Sequence, residues 1–234
     1  MIISTEKVRV APDNAEVGSI PQAMNSAVAV WEIASIVLTF GIGEWVVFAF
    51  APGSRWLLVV PVLCALTLAV YSHRQRRESL RMIGWRLDNF AQALRRLAVP
   101  TLVGVIILLS IGWTKGSLHF DRGNLWSWAF GLLIWATAQQ YFLQGFINRR
   151  AQIVFGKGRT SIIIVGLLFA ILHLPNPVLS LATLIGGMLW AAVYQRVPNL
   201  FALGLSHAVL SFMLAMSLPN WLLNNLRVGF KYLG

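Results

Sequence analysis

Two histidines and three glutamines interrupt apolar segments in the C-terminal half of this chain. His173 closes the run LLFAILH and His207 sits in ALGLSHAVLSF, while Gln139, Gln140 and Gln144 fall in QQYFLQG. Imidazoles and amides are costly in a hydrocarbon environment, and there they mark a functional site by default. No aspartate or glutamate follows Asp121, and that limits the chemistry. An imidazole, with an ordinary pKa near 6.5, can take a proton from water. An amide can donate and accept hydrogen bonds but is no base at neutral pH.

The spacing organises these groups. Residues four apart share a helix face, which pairs Gln140 with Gln144, Phe169 with His173, and His207 with Ser211. Gln139 points about 100° away from Gln140. A core imidazole bonded to nearby backbone would account for either histidine alone. Two histidines with three clustered glutamines point instead to a shared polar site. This set falls short of the His/carboxylate or thiolate sets that bind zinc, so no metal and no other cofactor is expected. The single cysteine, Cys64, excludes an intrachain disulfide and reads as a lipid- or core-facing filler.

In order and approximate separation, QQYFLQ (139–144), FAILH (169–173) and HAVLS (207–211) resemble the motifs of the CPBP family of CAAX-protease and bacteriocin-processing membrane peptidases. That pattern is Glu-Glu-x-x-x-Arg, Phe-x-x-x-His and His-x-x-x-Asn on three helices of one bundle; GFINRR (145–150) is similar to its Gly-Phe-x-x-Arg-Arg continuation. The resemblance covers about 125–218. It implies that Gln139 stands at the water-activating position, with Gln140 and Gln144 supporting. His173 and His207 would orient water and stabilise the oxyanion, with Ser211 in place of asparagine and Phe169 as the motif aromatic. The first motif departs from the family: glutamines replace both glutamates and the arginine. General-base catalysis contributes roughly 10²–10⁴-fold, so loss of the carboxylates should cripple the family mechanism. Gln144 avoids leaving an arginine buried without a counter-charge.

The elements that position these residues follow from composition. Of 234 residues, 57% are hydrophobic and 12% charged, and the mean hydropathy is +0.70. A soluble domain carries about 25% charged residues, so an all-α, polytopic membrane bundle is expected. Spans are expected near 27–50, 56–72, 98–115, 125–147, 160–174, 178–194 and 200–218. With a polar tail over 1–26, the chain divides into 27–97 (two spans and a basic interfacial segment), a core over 98–218, and an interfacial tail over 219–234. The stretch LRMIGWRLDNFAQALRRL (80–97) places Leu80, Ile83, Trp85, Leu87, Phe90, Leu94 and Leu97 at roughly helical spacing between arginines, and predicts one amphipathic helix on the membrane surface. WLLNNLRVGFKYLG predicts a second surface-lying helix. Glu32 and Glu44, in the first span, read as structural, and Trp190 and Tyr194 as packing. Counted from these spans at about 1.5 Å per residue, His173 lies in the outer half but Gln139 and His207 in the inner half. A longer fourth helix, or a break at LPNP after His173, would reconcile them.

The net charge of +11 does not indicate nucleic acid. With the N-terminus cytoplasmic, 14 basic residues fall on the inner side and 5 on the outer, as the positive-inside rule requires. The expected partners are anionic lipid headgroups and a membrane-associated peptide or protein substrate, and the expected location is the plasma (inner) membrane. The expected function is that of a CAAX-protease-like intramembrane endopeptidase with altered or lost activity. A catalytically inactive scaffold or substrate-binding protein on the same fold is the alternative.

Overall fold

Seven long helices around one core make up the described residues of the computed structural model, which are 22–51, 54–120 and 124–234. The polar tail expected over 1–26 lies, through residue 21, outside them. Helix α1 covers 22–50 and contains a π-helical stretch, Ile42–Val47. Helix α2 (Val59–Gln75) follows a 3-10 turn, then come the short α3 (Leu80–Ile83) and the long α4 (Phe90–Thr114). Helix α5 runs over 125–155 without interruption, π-helical between Tyr141 and Asn148. Helices α6 (Arg159–Ile171), α7 (Pro177–Tyr194), α8 (Leu200–Ser217) and the short α9 (Asn220–Leu223) complete the order. No strand occurs among the described residues, and the fold is all-α.

Among the described residues, five helices are long and apolar enough to cross a bilayer: α1, α2, α4, α7 and α8. Helix α5 is long enough, but its glutamines lower its hydropathy. Helix α6, at 13 residues, reaches about 20 Å, short of the roughly 30 Å hydrocarbon layer. Large apolar side chains point outward along these helices, among them Val103, Ile106 and Ile107 on α4 and Ile134 and Trp135 on α5. Such continuous exposed hydrocarbon marks a surface that faces lipid.

Helix α8 packs against both α4 and α5, α6 packs along α7, and α1 lies against α2 and the 149–155 end of α5. Between membrane helices the driving force is close packing, so interfaces favour small residues. Gly204 of α8 sits against Thr137 of α5, and Gly166 of α6 faces Gly187 of α7.

Two expected surface helices do not form as drawn. The 80–97 stretch is interrupted: α3 ends at Gly84, whose φ of +107° favours glycine, and the chain turns until α4 begins at Phe90. The core holds that turn. Tyr194 donates to the Ile83 carbonyl (2.6 Å), the Leu200 amide donates to Gly84 (2.9 Å), and Asn199 Nδ2 donates to Arg86 O (2.6 Å). These bonds outweigh the helical pattern, and residues 90–97 become the first turns of a long helix. The C-terminal tail likewise breaks after α9, where Asn224, Asn225 and Leu226 adopt positive φ.

Candidate active site

The α5–α8 contact sets the site. A Cβ on Gly204 would lie 2.9 Å from Thr137 Cβ and 3.0 Å from Thr137 Cα, so only glycine allows this approach. One turn further along each helix stand Gln140 and His207. Gln140 Nε2 lies 3.2 Å from His207 Nδ1, and both side chains are buried. With the amide donating, the imidazole accepts at Nδ1 and carries its proton on Nε2.

The α6–α7 contact brings in the second histidine. Helix α6 ends at Ile171, and in the turn beyond it His173 Nδ1 donates to the Phe169 carbonyl at 2.8 Å. That bond leaves Nε2 with a free lone pair. The Phe169 ring stands edge-on to both imidazoles, 4.7 Å from His173 and 5.8 Å from His207 between centroids. The sum of those distances bounds the separation of the two imidazoles, and it lies within two helical turns (~11 Å). The depth mismatch expected from the sequence does not arise, because α5 continues to Phe155 rather than ending at 147 and α6 stops short.

Trp190 backs the site, its ring centroid 4.4 Å from that of His207. Its indole donates to Ser206 Oγ (3.1 Å), which is also bonded to Thr101 Oγ1 (2.8 Å). Trp190 was expected to pack, and it packs on the imidazole itself. The adjacency was hidden because the two residues are on different helices.

The three glutamines separate. Only Gln140 joins a histidine, and its Oε1 is buried without a partner. Gln144 Oε1 accepts from Asn148 Nδ2 at 2.7 Å. Asn148 is linked through Gln195 (3.1 Å) to Ser161 (2.9 Å), a buried amide network tying α5 to α6 and α7. Gln139 and Ser211 are half-buried, and neither is hydrogen-bonded to a histidine. A one-turn Gln144–Asn148 pairing was open to sequence reading, since residues four apart meet.

Sequence reasoning read Glu32 as structural but missed Glu78 and the arginines that both carboxylates bind. Arg150 is fully buried and reaches Glu32 of α1 (3.2 Å), Glu78 of the α2–α3 turn (2.7 Å) and Ser72 (2.6 Å). Arg76 also binds Glu32 (2.9 Å), and Arg149 binds Glu78 (2.6 Å). His73 Nδ1 stands 2.6 Å from Glu78 Oε2. Burial pushes the Glu78 carboxyl up, but the His73 hydrogen bond and the Arg150 and Arg149 charges outweigh it and bring the pKa down to about 2. The cluster locks α1, α2 and α5 together. An arginine pair inside a membrane helix, with a glutamate in another span, was the available signal. Among the described residues no group of three or more His, Cys, Asp or Glu is placed to hold a metal ion.

Residues 121–213 match the sequence model of a family described as type II CAAX prenyl endopeptidase Rce1-like. No curated protein and no solved structure matches the chain. The match takes in α5 through most of α8, and with them the Gln140–His207 bond, Phe169, His173 and Ser211. The match over residues 121–213 to the Rce1-like type II CAAX prenyl endopeptidase family is consistent with the CPBP family that the three motifs resemble.

Proposed function

We propose that this protein is a CAAX-protease-like intramembrane endopeptidase in which histidines and an amide do the work of the family's carboxylates. The observation that carries this reading is the Gln140–His207 hydrogen bond with Phe169 reaching both imidazoles. His173, with Nδ1 committed to backbone, offers Nε2 as the base. Water loses a proton to His173 as its oxygen attacks the scissile carbonyl carbon. His207 Nε2–H, held in that tautomer by Gln140, donates to the carbonyl oxygen as it gains charge. His173 then passes the proton to the departing amine, leaving a carboxylate and an amine. Gln139, by its motif position, holds the water, and Gln144 and Ser211 support.

A second reading, a substrate-holding scaffold on the same fold, is favoured by one fact: no carboxylate occurs after Asp121. Both readings place the protein in the plasma membrane, with the N-terminus and the 73–97 segment cytoplasmic and anionic headgroups against its basic side. The test is cleavage of membrane-anchored peptides by proteoliposomes of wild type, His173→Ala and His207→Ala. Peptidase action predicts wild-type cleavage that falls at least about 10²-fold in each variant. A silent wild type that still retains the peptides favours the scaffold.

A further inference from the structure

A groove of about 670 Å³ opens between α2 and α5, and none of Gln140, His173 and His207 lines it. Its walls are hydrocarbon: Leu66 and Val70 from α2 face Ile134 and Phe142 from α5. Leu66, Val70 and Ile134 are exposed, so the groove opens sideways toward lipid. The volume lies within the roughly 300–1,000 Å³ of sites that enclose a small organic ligand.

One end of the groove is polar, lined by His73, Arg74 and Glu78. Arg74 is exposed and, among the described residues, pairs with no carboxylate. The neighbouring carboxylates are already spent: Glu78 on His73, Arg149 and Arg150, and Glu32 on Arg76 and Arg150. Two carboxylates thus face three guanidiniums before Arg74 is added, and this end of the groove is positive. His73 is 6% exposed, and its Nε2 is buried with no hydrogen-bond partner. A groove with hydrocarbon walls and one cationic, hydrogen-bonding end matches one class of molecule.

We propose that this groove is a binding site for one anionic glycerophospholipid, with a hydrocarbon chain between α2 and α5 and the phosphate at Arg74. A glycerol headgroup supplies oxygens toward the polar end that includes His73. The site needs only that the protein be embedded in a membrane, so it stands or falls independently of peptide cleavage.

The test uses the full chain purified in detergent and offered equimolar dioleoyl-phosphatidylglycerol and dioleoyl-phosphatidylcholine, with retained lipid counted by native mass spectrometry. Wild type should retain one phosphatidylglycerol in clear preference to phosphatidylcholine. Arg74→Gln should reduce that preference about fivefold, the effect of one arginine near an anionic headgroup. Ile134→Trp, which fills the groove from an exposed position, should abolish retention of either lipid. Arg77→Gln removes an exposed arginine that does not line the groove, and should leave the preference intact. Equal retention of the two lipids by wild type would overturn the proposal. So would an Arg77→Gln loss as large as that of Arg74→Gln, or undiminished retention in Ile134→Trp.

Discussion

Replacing Gly204 by alanine tests whether helix contact, rather than local sequence, sets the Gln140–His207 pair. The new Cβ would fall 2.9 Å from Thr137 Cβ and 3.0 Å from Thr137 Cα. Carbon atoms rest at about 3.5–4.0 Å, and the Cα cannot rotate away, so the helices must part by roughly 0.5–1 Å. The Gln140–His207 bond, already 3.2 Å long, would then exceed hydrogen-bonding range. Overpacking costs about 1–3 kcal/mol, and alanine regains about 1 kcal/mol of helix propensity, leaving a net loss of roughly 0–2 kcal/mol. The sharper quantity is the coupling. In a Thr137→Gly background the Cβ and hydroxyl are gone, and the cost of Gly204→Ala should drop by about 1–2 kcal/mol, within the usual range for residues in contact. Chemical unfolding in detergent micelles, followed by circular dichroism on the four proteins, measures it. A cost of Gly204→Ala that is the same in both backgrounds would refute the contact argument.

Arg150→Gln should destabilise the fold by about 3–5 kcal/mol in the same assay, because it leaves Glu32 and Glu78 buried with less counter-charge. The depressed Glu78 pKa predicts that its stabilising contribution is complete above about pH 4.5 and is lost as pH falls toward about 2; Glu78→Gln should remove that part of the pH dependence of unfolding. The combined Gln139→Glu, Gln140→Glu, Gln144→Arg variant should raise peptide cleavage, since it supplies a base with its counter-charge, while Gln140→Glu alone should lower the unfolding midpoint through an unpaired buried carboxylate. Introduced cysteines at Gly116 and Asn220 should label from outside and one at Gln75 should not; labelling at Gln75 would reverse the orientation.

The seven helices were legible because each carries an apolar run ended by arginines, prolines or turn residues, and the three motifs because they stand out against hydrocarbon. Pairwise adjacency was less legible. Gln140 and Gln144 read as one cluster, but Gln140 reaches across to His207 of α8, whereas Gln144 accepts from Asn148 one turn on along its own helix. Glu32 and Arg150 are 118 positions apart, and no periodicity links them. The 80–97 pattern misled for a physical reason: its apolar spacing is helical, yet Gly84 and three hydrogen bonds from Tyr194, Asn199 and Leu200 break it.

Gln140 and His207 should act as one unit on the reacting carbonyl. Single-turnover cleavage rates in proteoliposomes for wild type, Gln140→Leu, His207→Ala and the double variant test it most directly. Each single change should cost about 10²-fold or more, and the double change no more than the worse single one, as for residues that work together. Losses that multiply, or a wild-type rate that neither change alters, would contradict it.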